Sequence, residues 1–146
     1  MKKIIIYADG GARGNPGPAA IGVVFCNEMA QVIKKYSETI GEATNNEAEY
    51  QAVIFSLEKF KALFGKKLAE STEVEVRSDS ELMVSQLEGK YKVLEPRIGE
   101  LFLKIWNLKQ DFKKVNFKLI SRNKNQEADR LVNEALDKEA RAQKLL

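Results

Sequence analysis

The apolar positions of this chain change their period several times along its length. Residues 3–9 (KIIIYAD), 19–27 (AAIGVVFCN) and 30–40 (AQVIKKYSETI) carry β-branched and aromatic residues that partly alternate with polar ones, which predicts three strands. Gly, Pro and Asn cluster between the first two and mark a turn. From Asn45 the spacing switches. Ala48, Ala52, Val53, Leu57, Phe60 and Phe64 recur at steps of three and four as far as Gly65, the pattern of an amphipathic helix. Thr44, with Glu47 three places on, is a capping-box pair that sets its start.

The second half repeats the alternation of types. Residues 72–79 (TEVEVRSD) place Val74 and Val76 between charged neighbours and read as a strand ending at Asp79, followed by a short helix (SELMVSQLE) that stops at Gly89. Pro96 suits the first turn of another helix, whose Ile98, Leu101, Phe102, Ile105, Leu108 and Phe112 form one stripe. VNFKLIS is a last strand, and Asn125 is expected to cap a final helix bearing Ala128, Leu131, Val132, Ala135 and Leu136. The predicted order is β-β-β-α-β-α-α-β-α. Strands joined by short turns pair antiparallel, and strands separated by helices pair parallel through crossovers. The expected fold is therefore α/β, a mixed five-stranded sheet of three antiparallel strands and then two parallel ones, with helices on both faces.

Composition narrows the chemistry. With 146 residues, 44% of them hydrophobic, the chain fits a single domain over residues 1–146. Its 24 basic and 21 acidic residues give a net charge of +3, too mild to dictate a polyanionic partner. It holds no histidine, which excludes Ser/His/Asp and Cys/His nucleophilic sites, metal-free His/His ribonuclease chemistry and His-ligated zinc. Hydrolysis would have to rest on carboxylates and oxygen-loving metals. The single cysteine, Cys26, sits in an apolar run and reads as core. No apolar run approaches the roughly 20 residues of a membrane span, and MKKIIIYADGG has too short an apolar stretch for a secretory signal, so a cytoplasmic location is expected.

Four acids stand out. Asp9 and Asp79 close two strands that, paired in parallel, would deliver both carboxylates to one sheet edge, where such folds gather reactive groups. Glu49 and Asp129 lie beside the apolar stripes of their helices rather than opposite them. Singly, each has a plainer reading: a turn former at Asp9–Gly10, support for a helix N-terminus at Asp79, rim residues pairing with lysines at the other two. Together, without histidine, they make what a hard divalent cation requires. Two such ions about 4 Å apart can serve a phosphodiester on both sides of the scissile bond. The glycine-rich GGARGNPGPA lacks the Lys-Ser/Thr of a nucleotide-binding P-loop. Its backbone and Asn15 can instead approach a nucleic-acid strand and its ribose hydroxyls.

At this point DGGARGNPGPAAIG, TNNEAEYQAV, VEVRSDSELMVSQL and NKNQEADRLVNEA resemble, in order and spacing, the four motif blocks of type 1 ribonuclease H. The resemblance implies a ribonuclease H-like fold and an endoribonuclease that cleaves the RNA strand of RNA/DNA hybrids, leaving 5′-phosphate ends. It implies that Asp9, Glu49, Asp79 and Asp129 hold two Mg²⁺ ions, with Mn²⁺ as a substitute and Asp9 bridging the pair. Gly10, Gly11, Arg13, Asn15, Asn45 and Asn46 are then expected to lie on the substrate, with Thr44 helping to hold a DNA phosphate and Arg122 and Asn125 as auxiliary residues. A monomer acting on the hybrid, away from membranes, is expected. A catalytically weak module that binds hybrid or duplex RNA is the alternative. Two departures from the family pattern stand out. Arg122 occupies the loop where many members carry a histidine, and arginine supplies charge but shuttles no protons. The long basic protrusion is replaced by GKYKVLEPR, in which Lys90, Lys92 and Arg97 are a small substitute.

Overall fold

The computed structural model describes residues 2–146. Five strands, β1 (Lys3–Ala12), β2 (Gly17–Cys26), β3 (Val32–Ala43), β4 (Glu73–Ser78) and β5 (Lys114–Leu119), form one sheet in the order β3-β2-β1-β4-β5. β1, β2 and β3 are antiparallel, while β1–β4 and β4–β5 are parallel, as the connection lengths predict.

The helices are α1 (Asn45–Phe64), α2 (Lys66–Glu70), α3 (Glu81–Leu87), α4 (Pro96–Lys109) and α5 (Gln126–Lys144), the last preceded by a 3₁₀ turn, Arg122–Asn125. Strand alternation sorts the sheet's side chains. Ile4, Ile6, Ala8, Val23, Phe25, Val74 and Val76 point to one face and pack with Val53, Leu57 and Phe60 of α1 and Ile98 and Ile105 of α4. Ile5, Val24 and Cys26 meet Leu131 on the other face, where Val132, Ala135 and Leu136 of α5 cover Ala20. Cys26 is core, as its apolar run implies. Burying each large side chain of such a stripe is worth roughly 1.5–3 kcal/mol, the main force that seats the helices.

The α1 start is built as the sequence predicts. Thr44 Oγ1 accepts from the Glu47 N–H at 3.1 Å, and Glu47 Oε1 accepts from the Thr44 N–H at 3.2 Å. Three features differ from expectation. Gly65, at φ 87°, ends α1, but the chain turns straight into the five-residue α2, too short to leave a periodic signal. Asp9 does not close its strand: β1 runs on to Ala12 paired with β2, and only its pairing with β4 stops, at Tyr7–Arg77. Asn125 stands at the N-cap position of α5 but makes no side-chain cap bond. Its Nδ2 donates instead to the Ala8 carbonyl at 3.0 Å.

Candidate active site

Beyond Tyr7–Arg77 the parallel strands β1 and β4 part, and Asp9 and Asp79 sit at this opening. Two helices bring the other acids from opposite faces of the sheet. Each approach is made at a glycine one rung from, or directly across from, Asp9. A Cβ at Gly10 would strike the carbonyl of Ala48, and one at Gly22, the register partner of Asp9, would strike the carbonyl of Ala128. Ala48 and Ala128 immediately precede Glu49 and Asp129. Bare backbone at these positions thus lets α1 and α5 descend close enough to deliver their carboxylates. Gly10→Ala is accordingly expected to lift α1 and cost about 1–3 kcal/mol of stability, the scale of overpacking, with loss of activity beyond the stability change. Thermal melting and cleavage rate measured together check it; an unchanged melting temperature would show that α1 does not rest on this glycine.

Asp9, Glu49 and Asp79 each offer a carboxylate oxygen, and these atoms lie within 4.8 Å of one another. Asp129 is not part of that tight trio. It lines the same crevice, of about 310 Å³, and its charge acts on Asp9. Burial, then the charges of Asp79 and Asp129, push the Asp9 carboxyl up from 3.8 to about 7, against a lowering hydrogen bond from Glu49. Glu49 is raised well above its ordinary value by burial and by Asp9 and Asp79, with the Gly10 N–H opposing. Asp79 is raised by burial, while the Arg122 charge holds it down. One Glu49 oxygen, Oε2, is buried with no hydrogen-bond partner. Crowded, desolvated acids with an unsatisfied oxygen are poorly tolerated alone and fit a divalent cation, which binds oxygen ligands and neutralises the cluster.

The glycine-rich turn is fastened to both helices. Asn15 Oδ1 accepts from the Asn45 N–H at 3.0 Å, and Asn45 Oδ1 accepts from the Ala12 N–H at 2.9 Å. Because a main-chain N–H can only donate, these bonds fix each amide's orientation, and both Nδ2 groups have no protein acceptor among the described residues. Arg13 is held against α5 by Asp137 at 2.6 Å, with Asn133 Oδ1 at 3.4 Å. Gly10, Gly11 and Arg13 all line the acidic crevice. Asn46 lies on a second groove, of about 600 Å³, that shares Asn45, Glu49, Asp79 and Arg122 with the first. Thr44 accepts one bond at its hydroxyl oxygen in the capping box, leaving its O–H to donate. Gly22 and Asn133 are the site-forming residues that sequence reading missed, since only strand register and helix packing reveal them.

This arrangement has counterparts. The family described as "Reverse transcriptase-like" matches residues 7–135. A bifunctional protein of Mycobacterium tuberculosis, Rv2228c, is 40% identical over 141 residues, which are 96% of this chain and 37% of that protein. The structure of LC11-RNase H1, isolated from compost by a metagenomic approach, superposes with a TM-score of 0.89 at 52% identity, covering 96% of this chain and 99% of that one. The chain belongs to the type 1 ribonuclease H family. LC11-RNase H1 has also been solved in complex with an RNA/DNA hybrid, and that structure is similar to this chain at 53% identity and a TM-score of 0.89, covering 94% and 99% of the two chains. The chain spans just over a third of the length of its mycobacterial relative. No helix among its described residues is long and apolar enough to cross a membrane.

Proposed function

We propose that this chain is an endoribonuclease that hydrolyses the RNA strand of RNA/DNA hybrids, leaving 5′-phosphate ends, as a monomeric cytoplasmic domain over residues 1–146. The observation that carries the reading is the convergence of Asp9, Glu49 and Asp79 within 4.8 Å, with Asp129 lining the same crevice. Asp9, innermost of the four, is suited to hold both of two Mg²⁺ ions, or Mn²⁺ in their place, with Glu49, Asp79 and Asp129 completing the ligands. When bound, such ions supply activation of the attacking water and charge stabilisation at the leaving oxygen. The protein's own part is to place the hybrid. The free Nδ2 groups of Asn15 and Asn45, fixed as donors, suit ribose 2′-oxygens and minor-groove acceptors, and Asn46 extends that surface. Gly10, Gly11 and Arg13 line the crevice the substrate would enter, with the Arg13 charge shared with Asp137, and the Thr44 O–H would donate to a DNA phosphate. Arg122 opposes the upward push of burial on Asp79 and offers a permanent positive charge to the product or substrate phosphate.

Purified protein with Mg²⁺ should cut a hybrid duplex and leave matched RNA/RNA and DNA/DNA intact, with 5′-phosphate termini on the RNA fragments. Tight hybrid binding with no cleavage at any metal concentration would favour the binding-module alternative. Arg122→His is expected to change the pH profile of turnover while leaving the enzyme active, as measured by initial rates across pH 6–9. Equal profiles for the two proteins would remove Arg122 from the reaction.

The small basic loop is less available than its composition suggests. Lys90 lies 3.7 Å from Glu88, and Arg97 is paired with Glu47 at 3.3 Å and Glu100 at 3.1 Å. Few phosphates are then neutralised, so hybrid affinity should fall only gently with salt. A slope matching about ten ion contacts would contradict this.

A further inference from the structure

We infer that Asn125 is a positioning residue that sets the separation of Asp9 and Asp129, and with it the grip of the acidic cluster on its cations; the inference rests on the two-metal reading above. Asn125 is 1% exposed, and its Nδ2 bonds the carbonyl of Ala8 across 117 residues of sequence. Ala8 adjoins Asp9, one residue past the last rung that ties β1 to β4. At the other end of the bond, Asn125 lies one helical turn before Asp129 and closes the 3₁₀ turn that begins at Arg122, the residue whose charge faces Asp79. A single side chain therefore joins the backbone under Asp9 to the segment that carries both Arg122 and Asp129.

The same side chain is a poor choice for stability alone. Its Oδ1 is buried without a hydrogen-bond partner, and an unpaired amide oxygen in the interior costs free energy that an apolar residue would not. Its donor also does nothing for the start of α5, since it makes no cap bond. What the amide provides is a directed bond to one carbonyl at the point where β1 loses its parallel neighbour.

The test is Asn125→Ala, read by Mn²⁺ titration calorimetry on substrate-free protein, steady-state kinetics on hybrid, and thermal melting. Mn²⁺ affinity and kcat should each fall roughly tenfold, the range lost when a residue that orients metal ligands is removed, while KM for hybrid stays within about twofold. A merely structural role would lower the melting temperature yet leave the Mn²⁺ isotherm and kcat, measured well below that temperature, as in the unaltered protein; that result overturns the inference. Should the alanine variant fail to fold, Asn125→Ser, too short to span to Ala8, is read by the same criteria. Unaltered protein that takes up no Mn²⁺ would overturn the two-metal reading and this inference together, whereas equal uptake by both proteins overturns this inference alone.

Discussion

Asp9→Asn is expected to abolish hybrid cleavage while making the metal-free protein more stable. Asp9 is the buried centre of the cluster, 7% exposed, beside Glu49, Asp79 and Asp129. Asparagine has nearly the same shape, fills the same space and can donate to the neighbouring carboxylates, so the fold loses nothing and sheds repulsion. What it cannot supply is the negative charge for which the cations compete. Cleavage should drop by at least about 10³-fold, the scale seen when a group acting directly in the transition state is removed. At pH 8 the melting temperature without metal should rise by roughly 5 °C, since a group raised from 3.8 to about 7 strains the fold by on the order of 2–4 kcal/mol when ionised. Hybrid affinity should persist, because the fixed amides of Asn15 and Asn45 are untouched. Retention of near-normal cleavage in Mg²⁺ would remove Asp9 from the chemistry; a lower melting temperature would show that the cluster is not under repulsive strain.

The second large effect is a dependence of stability on pH that metal reverses. The folded-state value of Asp9, about 7, lies above its ordinary 3.8, so the native state holds a proton that the unfolded chain has released across that interval. Stability is then fully present below about pH 4 as far as this group is concerned, and is lost as pH rises toward and through about 7. Glu49, raised in the same direction, adds to the loss. Chelator-treated protein should melt several degrees lower at pH 8 than at pH 5, opposite to the usual carboxylate behaviour. Millimolar Mg²⁺ or Mn²⁺ should restore most of the difference at pH 8 and little at pH 5, where protons already occupy the cluster. Parallel melting curves at the two pH values, unaffected by metal, would mean that the acids do not share one site.

Much of this was legible in the residues themselves. The Thr44–Glu47 pair fixed the start of α1 because a capping box is local, complete within four residues. The antiparallel and parallel pairings followed from the connection lengths, and the absence of histidine, with four acids on separate elements, pointed to a cation site before any geometry was known. What escaped detection depends on partners distant in sequence. Asn125 looks like a helix cap, and only the folded chain shows its donor turned to Ala8. Arg13 is expected on the substrate from the resemblance, yet it lies against Asp137, 124 residues away. Asp9 looks like a strand terminus because a glycine follows it, whereas pairing with β2 carries the strand through Gly10 and Gly11 to Ala12.

Gly22 has an implication for how the sheet is checked during assembly. Helix α5 can rest only where β2 has no side chain, so the helix is indexed to β2, while Asp9 is indexed to β1. A slip of one residue between the two strands would turn apolar side chains outward and be rejected on hydrophobic grounds. A slip of two preserves the inside-outside pattern and escapes that penalty, but it would carry Asp129 about 7 Å along the strand from Asp9, at roughly 3.3 Å per residue. Under the two-metal reading, a cation held between Asp9 and Asp129 would therefore favour the native hairpin over the partner shifted by two residues, whose acids lie too far apart to share it.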